Sequence, residues 1–142
     1  MQPAVSVTPE ATEREALKVL LENNVPGVPV VDDGGRLVGF VTDGHLLASA
    51  LPQYLKIMED VSFISEAGDN WIHYFAESAD RPVSEVMSKQ VSCVGLGQSE
   101  IIVAHKMVHE GVSSVVVTEN GRVVGIVNRL DLYSAIVGPT RD

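Results

Sequence analysis

An internal repeat constrains the fold of this chain more than any other feature of its sequence. Sliding the chain by 86 residues superimposes its two ends without a gap and gives eleven identities. The densest match is GRLVGFV at residues 35–41 against GRVVGIV at residues 121–127. Self-similarity at a fixed period is the signature of a repeated supersecondary unit. We therefore expect two copies of one unit that share a core.

Each copy is predicted to have the element order β-α-β-β-α. The strands are short runs rich in β-branched residues, at 4–7, 28–31 and 37–41 and at 91–94, 115–117 and 123–127. The segments before the last strands, Asp-Asp-Gly-Gly at 32–35 and Glu-Asn-Gly at 119–121, are typical of hairpin turns, because Gly and Asn tolerate positive φ. Thr12, which can form a capping box with Glu15, and Ser99 precede the first helices, and the second helices cover 43–50 and 129–137.

These elements predict an α+β fold of the α/β type. Two βαββα repeats would pack sheet to sheet or edge to edge around a pseudo-two-fold axis, which creates two related clefts at the seam. The predicted organisation is a first repeat at 1–50, a helical insert at 51–82, a second repeat at 83–138 and a tail at 139–142.

The insert holds five of the seven aromatic residues, namely Tyr54, Phe63, Trp71, Tyr74 and Phe75. Its pattern predicts one short helix from Leu55 to about Phe63 and another around 71–79, with a loop at 66–70. The aromatics either cover an open face of the module or form a dimer or partner surface, because aromatic side chains are enriched at interfaces.

Composition excludes several classes of function. Ten Lys and Arg against 19 Asp and Glu give a net charge of −9, which argues against nucleic acid or an anionic membrane as a partner. No apolar run approaches membrane-spanning length and no signal peptide is evident. A single cysteine, Cys93, fits a reducing compartment and is expected to be buried in its strand. The expected location is cytoplasmic.

The sequence contains no recognisable catalytic or metal-binding motif. No P-loop, H-E-x-x-H or C-x-x-C pattern is present, and His105 and His109 lack a third ligand nearby. We therefore expect a non-enzymatic protein with no metal site and no required cofactor.

The sequence resembles a tandem cystathionine-β-synthase (CBS) domain pair, also called a Bateman module. The resemblance rests on three segments, VSEVMSKQVSCV at 83–94, VPGVPVVDDGGRLVGFV at 25–41 and GVSSVVVTENGRVVGIVNRLDL at 111–132. It implies a non-catalytic sensor of an adenosine-containing ligand that regulates another protein, here unknown. It also implies a homodimer that forms by helix packing.

The motif G-h-h-[ST]-x-x-D, where h is apolar, would form the ligand site. In the second copy it ends in Asp131, whose carboxylate can accept bonds from both ribose hydroxyls. Asn128 and Arg129 lie at the start of a helix, where a phosphate is favoured. Asn128 and Asp131 also suit plain helix capping. The first copy keeps Thr42 but has His45 at the ribose position, which predicts a weaker second site.

The resemblance further implies an adenine wall borrowed from the opposite copy, made of Ala4, Val5, Val25 and Pro26. Ser113 and Ser114 would lie near the phosphate, where many members that bind di- or triphosphates carry basic residues. AMP, adenosine or S-adenosylmethionine is therefore favoured over ATP. The alternative is an interaction or dimerisation scaffold whose nucleotide sites have decayed, because His45 and Asn128 depart from the motif.

Overall fold

A computed structural model describes residues 5–62 and 76–138, apart from the side chains of residues 53 and 54. The helices are α1 (Glu13–Asn23), α2 (Asp43–Ala50), α3 (Gln53–Ile57), α4 (Glu100–Glu110) and α5 (Arg129–Val137). The strands are β1 (Gly27–Val31), β2 (Leu37–Thr42), β3 (Cys93–Gly95), β4 (Ser114–Glu119) and β5 (Arg122–Asn128). Short 3-10 turns cover Glu77–Asp80 and Val83–Glu85. The predicted α+β fold is confirmed. None of the described helices is both long enough and apolar enough to span a membrane.

The two copies form similar sheets of different size. In the second copy β3 pairs in parallel with β4, and β4 pairs antiparallel with β5. In the first copy β1 and β2 pair antiparallel, and the predicted leading strand is reduced to a bridge between Val7 and Val30. Val7 N donates to Pro29 O at 3.1 Å, and Val31 N donates to Val7 O at 2.9 Å. The first copy therefore keeps the order of the elements with a shorter first strand.

The gapless offset of 86 residues is wrong for the first half of each copy, where the structural offset is 87. The sheet registers shift between Val30 and Val31 in one copy and between Val117 and Thr118 in the other. The first helices end at left-handed residues Asn24 and Gly111, which are also 87 apart. The offset changes from 87 to 86 at the hairpin turn, which is one residue longer in the first copy than in the second. A turn can differ in length in this way because it lies outside the hydrogen-bonded ladder.

This one-residue difference explains why the prediction for Cys93 is wrong. At an offset of 87, Val94 corresponds to the buried Val7, and Cys93 corresponds to the exposed Ser6. A shift of one residue along a strand moves every side chain to the other face. Cys93 is accordingly exposed, and Val94 packs against the second core.

Each copy has its own apolar core between sheet and helices. The first contains Ala16, Leu20, Val28, Val30, Val41 and Val83, and the second contains Val103, Met107, Val115 and Leu132. Val83 follows the insert in sequence, but it is fully buried in the first core. The entry into the second copy is therefore anchored in the first.

All four helices of the two repeats begin with the same type of cap. A Thr, Ser or Asn side chain accepts the backbone N–H three residues later, which satisfies one of the free donors of the first turn. The pairs are Thr12 with Glu15, Thr42 with His45, Ser99 with Ile102 and Asn128 with Asp131. The predicted caps Thr12 and Ser99 are confirmed.

The hairpin turns join the copies edge to edge. Leu37 N donates to Gly121 O, and Val123 N donates to Gly35 O, both at 3.1 Å. The two bonds are equivalent under the 86-residue offset, so they mark the pseudo-two-fold axis. Gly35 and Gly121 both have φ near +80°, a conformation that L side chains rarely adopt. Of the two packing modes expected from the sequence, the edge-to-edge one is present.

A second junction holds the segment before β3 against β2. Phe40 N donates to Ser88 O at 2.9 Å, and Ser88 N donates to Phe40 O at 2.8 Å. Gly39 allows this approach, because a Cβ there would lie 2.5 Å from Met87 Sδ and 2.9 Å from Ser88 O.

The insert is less helical than expected where it is described. Helix α3 ends at Ile57, so Met58 and Val61 follow it, and Ala79 lies in a 3-10 turn instead of an α-helix. Phe63, Trp71, Tyr74, Phe75, the loop at 66–70 and the tail at 139–142 lie outside the described residues, as does the side chain of Tyr54. The domain boundaries stay predictions.

Glu13 is a buried carboxyl group, and it makes stability depend on pH. Its side chain is 4% exposed, and it accepts a hydrogen bond from Ser49 Oγ in α2 at 2.9 Å. Burial is the largest influence on the pKa of Glu13 and raises it above its usual value near 4.5. The hydrogen bond from Ser49 and the positive charge of Arg81 lower the pKa by less, and the negative charge of Glu85 raises it further. The folded state therefore binds the proton more tightly than the unfolded chain does.

We expect Glu13→Gln to flatten the dependence of stability on pH. The stability contributed by this group is present below about pH 4.5 and is lost as the pH rises through the raised folded pKa. Glutamine removes that loss and can still accept the bond from Ser49. Urea unfolding between pH 4 and 7 measures the effect, with the exposed Glu10→Gln as control. A variant that follows the wild-type pH profile would contradict the assignment.

Candidate functional site

A cavity of about 570 Å³ lies at the seam between the copies. The loop before β1, the ends of β2 and β5, and the N-termini of α2 and α5 surround it. Its lining residues are Val25, Pro26, Gly27, Phe40, Thr42, Asp43, Ser113, Ser114, Ile126, Asn128, Arg129, Leu130 and Asp131. The cavity therefore draws on both copies.

Equivalent backbone bonds build the two halves of this cavity. Asp43 N donates to Pro26 O at 2.8 Å, and Arg129 N donates to Ser113 O at 3.1 Å. Each bond ties the first residue of a second helix to the loop that precedes the first hairpin strand of the same copy. The two helix starts and the two loops therefore meet at one opening.

Asp131 borders the cavity with unused hydrogen-bonding capacity. The residue is half-buried, and its backbone N–H is bound to Asn128 Oδ1 at 2.8 Å. Among the described residues, nothing donates to its buried Oδ2. A buried carboxylate oxygen without a donor is costly, and in a native structure it calls for an explanation. The terminal torsion of Asp is broad, so either oxygen can turn toward the cavity.

Asn128 and Arg129 lie beside Asp131 at the start of α5. Asn128 uses Oδ1 to cap the helix, and the cap leaves its side-chain NH₂ group as a donor. Capping and ligand contact are therefore compatible for this residue. Arg129 is exposed and contributes a positive charge to the lining.

The predicted adenine wall is only partly present at this cavity. Val25 and Pro26 line it, and so do Ser113 and Ser114. Val5 is 39% exposed and is not among the described residues that line it. Ala4 lies outside the described residues.

The first-copy residues divide between the cavity and the helix cap. Thr42 lines the cavity, whereas His45 is not among its described lining residues. His45 Nδ1 accepts the backbone N–H of Thr42 at 3.0 Å, and the backbone N–H of His45 donates to Thr42 Oγ1 at 3.2 Å. The imidazole thus completes a capping box at the position where the second copy has its free carboxylate.

Phe40 is a site residue that sequence reasoning missed. It lines both the large cavity and an adjoining cavity of about 280 Å³, whose apolar wall includes Val91 and Val112. The two cavities also share Thr42, Ser113 and Ser114. The signal in the sequence was the first apolar position of the G-h-h-[ST]-x-x-D motif. Phe40 occupies this position in the first copy and Ile126 occupies it in the second.

The two histidines of α4 lie away from this cleft. The rings of His105 and His109 are stacked with centroids 5.6 Å apart, and both residues are exposed. Within residues 5–62 and 76–138 no group of three or more His, Cys, Asp or Glu side chains is placed to hold a metal ion.

Comparison with curated proteins finds short matches to parts of longer chains. A segment of 42 residues is 50% identical to CBS domain-containing protein CBSX1, chloroplastic, from Arabidopsis thaliana. This match covers 30% of the present chain and 18% of CBSX1. Another, over 43 residues at 42% identity, is to an uncharacterised Methanocaldococcus jannaschii protein, MJ1426, and covers 30% of this chain and 26% of that one. These relatives are thus much longer than the matched region.

Solved structures match nearly the whole chain. The CBS domain of a CBS domain containing membrane protein from Sphaerobacter thermophilus has a TM-score of 0.73 and 30% identity, over 94% of this chain and 82% of that one. CBSX2 in complex with AMP has a TM-score of 0.71 and 25% identity, over 96% and 92% of the two chains.

The family model for the CBS domain matches residues 1–51 and 83–138, which together make up most of the chain. These two stretches contain the two copies and all of the described residues that line the cavity. The chain belongs to the CBS-domain family, as a tandem pair of CBS domains.

Proposed function

We propose that this CBS pair is a non-catalytic sensor that binds one adenosine-containing ligand per chain at the Asp131 side of the cleft. CBS pairs are generally regulatory modules. The observation that carries the proposal is the buried, unpartnered Oδ2 of Asp131 at the edge of a 570 Å³ cavity. Two vicinal hydroxyl donors of a ribose would satisfy that carboxylate. The AMP bound by the structurally similar CBSX2 supports the same ligand class.

The remaining lining residues suggest how such a ligand would lie. Val25, Pro26, Phe40 and Ile126 offer an apolar surface to the base, and an aromatic ring such as Phe40 suits stacking on a purine. A single phosphate would approach Arg129 and the side-chain amide of Asn128 at the N-terminus of α5. We favour AMP, adenosine or S-adenosylmethionine over ATP, because Arg129 is the one cation among the described lining residues.

A thermal-shift panel of AMP, ADP, ATP, adenosine, S-adenosylmethionine and NAD tests the proposal. A ligand at 100 times its Kd adds about 2.7 kcal/mol to the free energy of unfolding, which corresponds to a rise of roughly 8 °C in Tm. A selective rise with AMP, adenosine or S-adenosylmethionine would support it. An unchanged Tm with all six ligands would reject the sensor and favour a scaffold whose sites have decayed.

We expect His45→Asp to create a second binding site in each chain. The variant has a carboxylate at the position equivalent to Asp131, and aspartate can replace the imidazole as acceptor in the capping box. Isothermal titration with the ligand that binds the wild type should then give two sites per chain instead of one. His45→Ala should leave the wild-type stoichiometry unchanged. Loss of binding in His45→Ala would show that the occupied site has been assigned to the wrong copy.

A homodimer through the helical face is a second part of the proposal. Several large apolar side chains on the helices are unusually exposed, among them Leu21 (71%), Leu47 (70%), Val108 (83%) and Tyr133 (65%). An apolar groove of about 360 Å³ runs between α4 and α5 and is lined by Met107, Val108, Tyr133 and Ile136. The groove residues share one apolar lining, and exposed apolar patches are typical of interaction sites. The same surface is available to a regulated partner protein. The alternative scaffold function would also involve such a partner.

We expect Tyr133→Asp to convert a dimer into a monomer. The change places a charge in the centre of the proposed interface, where desolvating it is costly. Light scattering after size exclusion measures the mass. Ile57→Asp is the matched control, since Ile57 is 75% exposed on α3 in the insert. If Ile57→Asp breaks the dimer and Tyr133→Asp does not, the insert and not the helical face forms the interface.

A further inference from the structure

Opposite charges occupy equivalent positions on the two sides of the large cavity. Asp43 is the first residue of α2, and Arg129 is the first residue of α5, 86 positions later. Both line the cavity, and both have their backbone N–H bound to the loop of their own copy, at Pro26 O and Ser113 O. The pseudo-two-fold axis therefore relates an acid to a base across one opening.

The Asp43 side chain bonds to the backbone at the start of its helix. Its Oδ1 accepts the N–H of Gly44 at 2.7 Å. The first turn of a helix stabilises an anion, so Asp43 already supplies negative charge at a position that would otherwise attract a phosphate. The corresponding position of α5 carries the Arg129 guanidinium, which adds to the positive end of the helix dipole. The two helix starts therefore differ strongly in their attraction for an anionic group.

Resting on the proposed function, we propose that Asp43 is a specificity-determining residue that limits how many phosphates the ligand carries and fixes its orientation. The ligand's phosphate lies toward α5 and away from α2. Each further phosphate extends negative charge across the cleft toward the Asp43 carboxylate. The acid thus selects against di- and triphosphates without contacting the ribose or the base.

The expected size of the effect is modest, because both side chains are exposed. The interaction between two unit charges about 8 Å apart in a water-like dielectric corresponds to roughly a twofold change in binding affinity. ATP carries about two more charges than AMP, so removal of one lining charge should change the ATP-to-AMP affinity ratio about fivefold. Added salt should shrink the change, since the Debye length falls to about 3 Å at 1 M.

Titration of wild type, Asp43→Asn and Arg129→Gln with adenosine, AMP, ADP and ATP tests the inference. We expect Asp43→Asn to raise the ATP-to-AMP affinity ratio about fivefold and Arg129→Gln to lower it by a similar factor. Adenosine, which has no phosphate, should bind all three proteins equally. Repetition in 0.5 M NaCl should bring the three ratios together. Asp33→Asn, at an exposed turn residue outside the cavity lining, should match the wild type.

The outcomes separate this inference from the proposed function. An ATP-to-AMP ratio that does not change in Asp43→Asn, while adenosine and AMP still bind, would overturn the role of Asp43 and leave the sensor intact. An equal change in adenosine affinity would show that Asp43 acts on cavity shape instead of phosphate charge, which also overturns it. A wild-type protein that binds none of the four ligands would overturn the role of Asp43, and it would overturn the sensor as well if S-adenosylmethionine and NAD also fail to bind.

Discussion

Asp131→Ala is expected to lower the affinity for AMP by about a hundredfold, because the variant loses two hydrogen bonds to a charged acceptor, together worth about 3 kcal/mol. The fold should tolerate the change. The backbone N–H of residue 131 stays capped by Asn128, and the buried oxygen without a donor disappears. Isothermal titration measures the affinity, and thermal unfolding of the free protein checks its stability.

Glu15→Ala is the matched control for Asp131→Ala. Glu15 occupies the same position in α1 as Asp131 in α5, three residues after a cap that accepts its N–H, but it is exposed and is not among the described residues of the cavity lining. It reports the effect of losing a carboxylate from a first helical turn. Equal AMP affinities for Asp131→Ala and wild type would make Asp131 a simple helix-start acid.

Gly39→Ala is expected to destabilise the protein by about 2 kcal/mol and to lower Tm by roughly 6 °C, because the added methyl overpacks a closed contact. The new Cβ would lie 2.5 Å from Met87 Sδ and 2.9 Å from Ser88 O. The methionine sulfur can shift, but the carbonyl of Ser88 is held by its bond from Phe40 N. The junction between β2 and the segment before β3 should therefore open.

Gly95→Ala is the control for that prediction, since no atom lies within 4 Å of a Cβ at this strand position. Its Tm should stay close to the wild-type value or rise slightly, because alanine restricts the unfolded chain. Chemical denaturation compares the two variants. A Gly39→Ala protein as stable as Gly95→Ala would mean that the close approach at Met87 is not a constraint on the native fold.

The sequence predicted the elements well because each depends on local chemistry. β-Branched runs, Gly-containing turns and Thr or Ser caps each have a local structural preference, and the helix bounds of α2 and α5 match the expected ranges. It failed where an offset of one residue mattered. The gapless match was anchored on the dense repeat at 35–41 and 121–127. Because the hairpin turn before this repeat is one residue longer in the first copy, Cys93 was aligned with the wrong residue and is exposed instead of buried.

The candidate site was predictable only in part. The motif located Asp131, Asn128 and Arg129, because their spacing at a helix start is local. The wall of the cavity depends on how the copies meet, so Phe40 was not expected to line it, and Val5 is not among the described residues that line it. The role of His45 was likewise hidden, since a capping box formed by an imidazole is evident only when the Thr42 N–H is seen to donate to it.

The junction at the two hairpin turns has a mechanical consequence. Among the described residues, backbone pairing between the two sheets consists of the bonds Leu37–Gly121 and Val123–Gly35, which lie beside the pseudo-two-fold axis. Bonds so close to an axis resist separation of the sheets, but they oppose a rotation of one sheet against the other only weakly, which leaves the described junction between Phe40 and Ser88 as the backbone contact that opposes rotation. A molecule wedged between the starts of α2 and α5 would act at a distance from this hinge and apply a torque. Under the proposed sensor function, the angle between the copies is the quantity that a bound ligand would set and a partner protein would read.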